Sequence, residues 1–306
     1  MTAAILFPGQ GAQFVGMGQE WSEAFPVAQE TFQQADEALG FSLSEALWSA
    51  DADVNRTDIA QPGILATSAA IMRVLEAEGQ VDRTQVPLCA GLSLGEYSAL
   101  WLAGAFSLDD ALRLVHLRGQ AMQQAAEATP SGMLSLLGAT QQTATALAEE
   151  AARAGVCQVA NLNSPSQIIL SGENAAIDAA EAAAKDHGIR RCIRLSVAGA
   201  FHSEVMRPAA ERLQEALLDV EVLNPKIPVL SNVTAEPAGS PDMIRELLAR
   251  QVCAPVLWER SMRAALALGQ TEFIEPGPGK VLAGLMRKTE KDARVRSVAS
   301  LGDLSA

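Results

Sequence analysis

Val86-Pro87-Leu88-Cys89-Ala90-Gly91-Leu92-Ser93-Leu94-Gly95-Glu96-Tyr97-Ser98-Ala99-Leu100-Trp101-Leu102-Ala103 is the stretch on which the fold turns. Its first part, 86–90, is apolar and too short for a helix, so a buried strand is expected there. Its last part, 97–103, is apolar and reads as a helix. Between them Gly91-x-Ser93-x-Gly95 matches a nucleophile elbow, in which small residues let the chain turn so tightly that a serine hydroxyl stands exposed above a sheet. The first amide of the following helix then faces the reacting oxygen. Glycine and serine are common residues, and the same pentapeptide also fits an ordinary strand-to-helix turn with Ser93 as a cap. Under either reading a buried strand runs straight into a helix, which favours an α/β fold.

The rest of the chain extends that pattern. Its 306 residues, 49% hydrophobic and 19% charged, suffice for one large core and a smaller unit. With aromatics at only 4%, the core must come largely from Ala, Leu, Ile, Val and Met, as in helices packed on a buried sheet. Residues 3–7 read as a short buried strand, stopped by Pro8 and Gly9-Gln10-Gly11. A helix is expected from Gln61-Pro62 to Gly79, with the proline in its first turn. Another should start at Ser107, with Asp110 completing a capping box, and run to about Ala128.

From 129 to 197 the pattern changes to strand (133–137), helix (141–154), strand (157–162), strand (167–171), helix (174–187) and strand (190–197). This β-α-β-β-α-β order is ferredoxin-like. The expected organisation is a discontinuous large α/β domain, 1–128 and 198–306, with a ferredoxin-like subdomain inserted at 129–197. The large domain resumes with helices over 204–218 and 241–253 and strands over 228–230 and 272–275.

Charge narrows the partners. The net charge is −13, from 36 acidic and 23 basic residues, and no basic run exceeds Arg190-Arg191 or Arg287-Lys288. Nucleic acid and anionic membranes are therefore poor partners. Cys89, Cys157, Cys192 and Cys253 have neither CxxC spacing nor nearby histidines, so no metal site and no disulfide framework is expected. The start, Met1-Thr2-Ala3-Ala4-Ile5-Leu6-Phe7-Pro8, lacks the form of a signal peptide, and no apolar run has membrane-spanning length. A soluble cytoplasmic protein is expected.

A serine nucleophile needs a base, and the chain has three histidines. His116 shares a helix face with Asp109, Arg113 and Gln120 and reads as solvated. His187 precedes Gly188 in a helix's last turn, where a cation complements the dipole. His202 follows the flexible Ala198-Gly199-Ala200 at the return to the large domain and is the candidate base, a core or capping histidine being the alternative. No acidic residue stands out to orient its ring, and a backbone carbonyl could serve.

Arg118 interrupts the otherwise apolar stripe Ala111, Leu114, Val115, Met122. A guanidinium facing the core needs an anion. One reading is a buried pair with an acidic residue; the other, given Ser93 one helix away, is a substrate carboxylate held bidentately. Gly9-Gln10-Gly11 does not extend to a dinucleotide fingerprint, because the third glycine would fall at Phe14. Its strand end could instead present the Gln10 amide as an oxyanion donor. Gly277-Pro278-Gly279-Lys280 lacks phosphate-loop spacing and reads as a strand-to-helix connection.

Taken together, Phe7-Pro8-Gly9-Gln10-Gly11-Ala12-Gln13, Gly91-Leu92-Ser93-Leu94-Gly95-Glu96-Tyr97, Leu117-Arg118-Gly119, Phe201-His202-Ser203, Arg250-Gln251 with Pro255-Val256-Leu257-Trp258, and Glu275-Pro276-Gly277-Pro278-Gly279-Lys280-Val281-Leu282 resemble the bacterial malonyl-CoA:acyl carrier protein transacylases, in family order over nearly the whole chain. The resemblance implies an α/β-hydrolase-like large domain with a ferredoxin-like insert and a monomeric enzyme without a bound cofactor. Its substrate would be malonyl-CoA, its partner acyl carrier protein and its setting fatty acid biosynthesis.

The resemblance also implies roles for single residues. Ser93 would be acylated, His202 would be its base and Arg118 would hold the malonyl carboxylate. The amides of Gln10 and Leu94 would form the oxyanion hole, and the Gln251 carbonyl would orient His202. One departure is Leu92, where many members have histidine. Leucine there also occurs in discrete acyltransferases that load polyketide synthases. Ala200-Phe201-His202 resembles the malonyl-selective form, with Phe201 crowding an α-methyl group. Two other readings are a serine esterase or thioesterase and a non-catalytic scaffold. An acidic carrier would need a local basic patch; Arg287, Lys288, Lys291, Arg190 and Arg191 are candidates, none assigned.

Overall fold

The computed structural model describes residues 2–305. Met1 and Ala306, the outer bounds of the expected large domain, lie outside them. Among the described residues there are nine strands: β1 (Ala4–Phe7), β2 (Cys89–Gly91), β3 (Ser131–Leu137), β4 (Cys157–Ser164), β5 (Gln167–Glu173), β6 (Arg191–Arg194), β7 (Val229–Leu230), β8 (Glu272–Pro276) and β9 (Arg294–Val298). They form two sheets, β7-β2-β1-β8-β9 and β4-β5-β3-β6.

Every pairing in the first sheet is parallel. Ala4, Ile5, Leu6 and Phe7 are all fully buried, as a central parallel strand covered on both faces by helices requires. That is why β1 and β2 read as unbroken apolar runs rather than alternations. The edge strand β9, Arg294-Val295-Arg296-Ser297-Val298, escaped the sequence reading because its outer face is polar and half-exposed. The second sheet is antiparallel throughout. Its strand order is that of a ferredoxin-like unit, and helices Gln141–Ala151 and Asn174–Ala183 cover one face through Ala144, Leu147, Ala148, Ala176, Ile177 and Ala180. The fold is thus the expected large α/β unit with a ferredoxin-like second sheet.

Several differences from expectation bear on the site. The helix expected at Gln61 starts earlier and spans Thr57–Ala77, with Pro62 inside it. Proline has no N–H for the Asp58 carbonyl one turn back. His116 Nδ1 takes that carbonyl instead, at 2.9 Å. His116 is therefore a half-buried prop of the proline-bearing helix, ring against Phe41, and not part of a solvated face. Ser107 caps its helix, Leu108–Ala128, by accepting the Asp110 amide at 3.0 Å, but its hydroxyl donates to the Asp110 carboxylate, so the reciprocal bond of a capping box is replaced. His187 pairs with Glu150 at 2.9 Å, and the helix before it ends earlier than expected, at Ala183.

The helix expected over 241–253 spans Pro241–Gln251. Its end has a local cause: residue 255, which would donate to the Gln251 carbonyl in a continuing helix, is proline. The Gln251 carbonyl is left open to a side chain. Among the described residues no helix is long and apolar enough to cross a membrane.

Candidate active site

The elbow is built by close backbone approach. A Cβ on Gly91 would lie 1.9 Å from the Gly95 carbonyl carbon, and one on Gly95 would lie 2.2 Å from the Phe7 oxygen. Only glycine lets β1, β2 and helix Gly95–Leu102 meet this tightly. Ser93 itself sits at φ +52°, in the left-handed region that a non-glycine residue occupies only when its surroundings hold it there. Asn232, just beyond β7, supplies that hold: its Oδ1 accepts the Ser93 amide at 2.6 Å and its Nδ2 donates to the Gly91 carbonyl at 2.7 Å.

His202 also has positive φ, +59°. Its Nε2 lies 2.8 Å from Ser93 Oγ and its Nδ1 lies 2.7 Å from the Gln251 carbonyl. A carbonyl only accepts, so the imidazole proton resides on Nδ1 and Nε2 is free to accept from the serine hydroxyl. The ring is buried, and that burial, together with the charge of Arg118, pushes its pKa down to about 4 although the Gln251 carbonyl pulls the other way. At neutral pH it is an unprotonated base.

Arg118 is 1% exposed, on the stripe where sequence put it. Its Nη1 donates to Gln61 Oε1 at 2.7 Å; its Nη2 donates to Gln251 Oε1 at 3.0 Å and to Ser93 Oγ at 3.1 Å. These are neutral oxygens, so the buried ion pair with an acidic residue that the sequence left open does not form among the described residues. The guanidinium also lies over the Tyr97 ring, 5.7 Å from its centroid. Burial lowers its affinity for a proton. The site thus holds a desolvated cation next to the serine without a direct carboxylate partner.

Ser93, His202 and Arg118 open onto one cleft of about 590 Å³. Gln10, Leu92, Met122 and Phe201 line it from the large unit, and Asn161 and Ile169 from the antiparallel sheet. Neither the Gln10 nor the Leu94 amide has a hydrogen-bond acceptor among the described residues. Leu92 presents an apolar wall beside the serine.

Three residues escaped the sequence reading. Gln61 and Asn232 are fully buried polar side chains, and Glu96, inside the quoted motif, had no role attached to it. Glu96 Oε2 accepts the Asn232 amide at 3.1 Å and Gln251 Nε2 at 2.6 Å. Burial raises its pKa to about 7 against the bonds from Asn232, Gln251 and Ser231 and the charge of Arg118. A sequence signal existed for Gln61, an amide within the long apolar run 59–72; Asn232 offered none.

Comparison with known proteins bears on what such a site belongs to. A family model described as "Acyl transferase domain" matches residues 5–305. The malonyl CoA-acyl carrier protein transacylase of Bacillus subtilis is 41% identical over 298 residues, 97% of this chain and 92% of the relative. The chain belongs to the malonyl CoA-acyl carrier protein transacylase family. A second member of that family, from Escherichia coli K12, is 38% identical over 93% of this chain and 92% of its own length. Among solved structures of the family, the acyl-carrier-protein S-malonyltransferase of Bartonella henselae is 39% identical, with a TM-score of 0.95 over 100% of this chain and 98% of the other. A malonyl-transacylase solved in complex with its type II PKS acyl-carrier protein is 35% identical, with a TM-score of 0.94 over 100% of this chain and 98% of that one.

Proposed function

We propose that this chain transfers the malonyl group from malonyl-CoA to the phosphopantetheine thiol of acyl carrier protein through malonyl-Ser93, acting as an [acyl-carrier-protein] S-malonyltransferase. The observation that carries the reading is Arg118: a buried guanidinium 3.1 Å from Ser93 Oγ that lacks a direct carboxylate partner among the described residues. A malonyl group brings the missing anion, and a planar carboxylate matches the guanidinium fork.

In the first half-reaction His202 Nε2 takes the Ser93 proton as Oγ attacks the thioester carbonyl. The amides of Gln10 and Leu94 receive the oxyanion. The carbon–sulfur bond breaks, and His202 returns the proton to the departing thiolate. Its low pKa makes it a weak base but a strong acid for that return, and the Gln251 carbonyl keeps Nδ1 protonated throughout. The carrier thiol then attacks malonyl-Ser93 by the reverse steps. Arg118 selects the diacid and fixes the acyl group so that the thiol is favoured over water. Phe201, 6% exposed in the cleft wall, crowds the space an α-methyl group would need.

The proposal takes 129–197 as an inserted subdomain, a cytoplasmic monomer as the working form, and fatty acid biosynthesis as the pathway, with no bound cofactor. Discrete loading of polyketide carriers is the second reading, favoured by Leu92 and by the similarity to the transacylase solved with a type II PKS carrier. Rates of malonyl transfer to holo acyl carrier protein of each type distinguish them. Faster transfer to the fatty acid carrier is expected; a polyketide carrier preferred by tenfold or more overturns the pathway.

A further inference from the structure

Gln251 faces the reaction in two ways, and one buried acid decides how its side chain is turned. Its main-chain carbonyl holds His202 Nδ1, while its side-chain Oε1 accepts from Arg118 Nη2 at 3.0 Å. The other end, Nε2, donates to the Ser93 carbonyl at 3.0 Å and to Glu96 Oε2 at 2.6 Å. An amide reversed by 180° would point Nε2 at a guanidinium and Oε1 at the Ser93 carbonyl and the Glu96 carboxylate, one donor–donor and two acceptor–acceptor clashes in a dry interior. Glu96 is 2% exposed and Gln251 fully buried, so water offers neither group an alternative. The same Glu96 oxygen accepts the Asn232 amide, whose side chain brackets Ser93 through its amide and the Gly91 carbonyl.

We propose that Glu96 is a positioning residue for malonyl recognition: it fixes the Gln251 amide so that Oε1 sets the plane of the Arg118 guanidinium, and it steadies the Asn232 bracket of the elbow. Glu96 touches neither substrate nor Ser93 Oγ. It acts on Arg118 through a single intervening amide, as the acceptor that fixes that amide rather than as a charge beside the clamp, so the guanidinium keeps no direct carboxylate partner of its own. A direct Glu96–Arg118 pair would instead supply one. Losing the oriented acceptor leaves the guanidinium held only by Gln61 Oε1, the Tyr97 face and the reacting Ser93 Oγ, so that its Nη2 edge can shift, and misplacement of a binding group by about 1 Å costs up to about 100-fold.

This inference rests on the proposed malonyl transfer, and its signature is selectivity. Purely structural damage at Glu96 lowers activity toward all acyl groups together. Loss of positioning lowers malonyl transfer more than acetyl transfer, because only the malonyl group uses Arg118. The test compares Ser93 acylation by malonyl-CoA and acetyl-CoA, as kcat/KM ratios, in the parent, Glu96→Met, Glu96→Asp and Glu96→Gln, with melting temperatures taken in parallel.

Glu96→Met removes the acceptor and should lower the malonyl-to-acetyl ratio about 10- to 100-fold. Glu96→Asp keeps a carboxylate but withdraws its acceptor oxygens by one methylene, and should lower the ratio by about tenfold; it decides the matter if the methionine variant does not fold. Glu96→Gln retains an acceptor oxygen and should stay within about threefold of the parent ratio. Folded Glu96→Met or Glu96→Asp with the parent ratio would overturn the assignment. A parent without malonyl preference would instead overturn the underlying reading of Arg118.

Discussion

Replacing Arg118 with alanine separates recognition of a diacid from the acyl exchange itself. A carboxylate gripped bidentately gains two charge-assisted hydrogen bonds, each worth about 1.5–3 kcal/mol. The guanidinium already donates to Gln61 Oε1 and Gln251 Oε1, so its fork is shared and the lower half of that range applies. A loss of about 3–4 kcal/mol corresponds to a fall of about 100- to 1000-fold in kcat/KM for malonyl-CoA, at about 1.4 kcal/mol per tenfold. Acetyl-CoA offers no carboxylate, and its acylation rate should change less than about tenfold. The truncation leaves the Gln61 and Gln251 oxygens unpaired, but the space it vacates opens on the cleft that Arg118 lines and gives water a path to them, so folding should cost no more than about 1–3 kcal/mol. Arg118 also helps to hold the His202 pKa down, so the assay is run at pH 8, where the ring is neutral in both proteins. The readout is single-turnover acylation of Ser93 by each thioester, followed by intact-protein mass spectrometry. A folded Arg118→Ala protein that keeps its malonyl-to-acetyl ratio would refute the clamp.

Three further perturbations test other parts of the account. His202 has a folded pKa near 4 against an ordinary value of 6.5, so its burial contributes stability that is fully present above about pH 6.5 and is lost as pH falls toward 4. Glu96 runs the other way: raised from 4.5 to about 7, it favours the fold below about pH 4.5, a contribution lost as pH rises through 7. Melting curves of Glu96→Gln should therefore gain on the parent between pH 5 and pH 8; a constant difference would remove the case for a titrating Glu96. The acid limb of Ser93 acylation should fall near pH 4 rather than 6.5, and a limb at 6.5 would mean that His202 is less desolvated than its 4% exposure indicates. Gly95→Ala places a methyl 2.2 Å from the Phe7 oxygen and should cost about 3 kcal/mol by denaturant unfolding, whereas a loss below about 0.5 kcal/mol would deny the tight elbow.

How far the site was legible depended on whether a residue announced itself against its own neighbours. Ser93 stood between two glycines at the end of an apolar run, and Arg118 stood alone in an apolar stripe, so both could be singled out locally. His202 emerged by comparison with only two rivals. Whether Arg118 paired with an acid was undecidable, because the answer lay in Gln61 and Gln251, 57 and 133 residues away. Asn232 is bound to Ser93 across 139 residues and looks like any loop amide in sequence. His116 was misread because a solvated helix face and a helix-supporting imidazole share one spacing; the Pro62 gap that it fills lies on another element. The fold followed the same rule. Fully buried β1 read clearly; the strand expected over 86–90 was found, but shifted to Cys89–Gly91, where it pairs with β1, while β9, half-exposed at a sheet edge, went unread.

The central claim is that Ser93 carries the malonyl group on its way to a carrier thiol. Peptide-mapping mass spectrometry of the protein incubated with malonyl-CoA, before and after addition of holo acyl carrier protein, tests it most directly. The account predicts a malonyl adduct on the peptide containing Ser93, absent in Ser93→Ala, that moves to the carrier when the carrier is added. No adduct, or one that persists in Ser93→Ala, would contradict it.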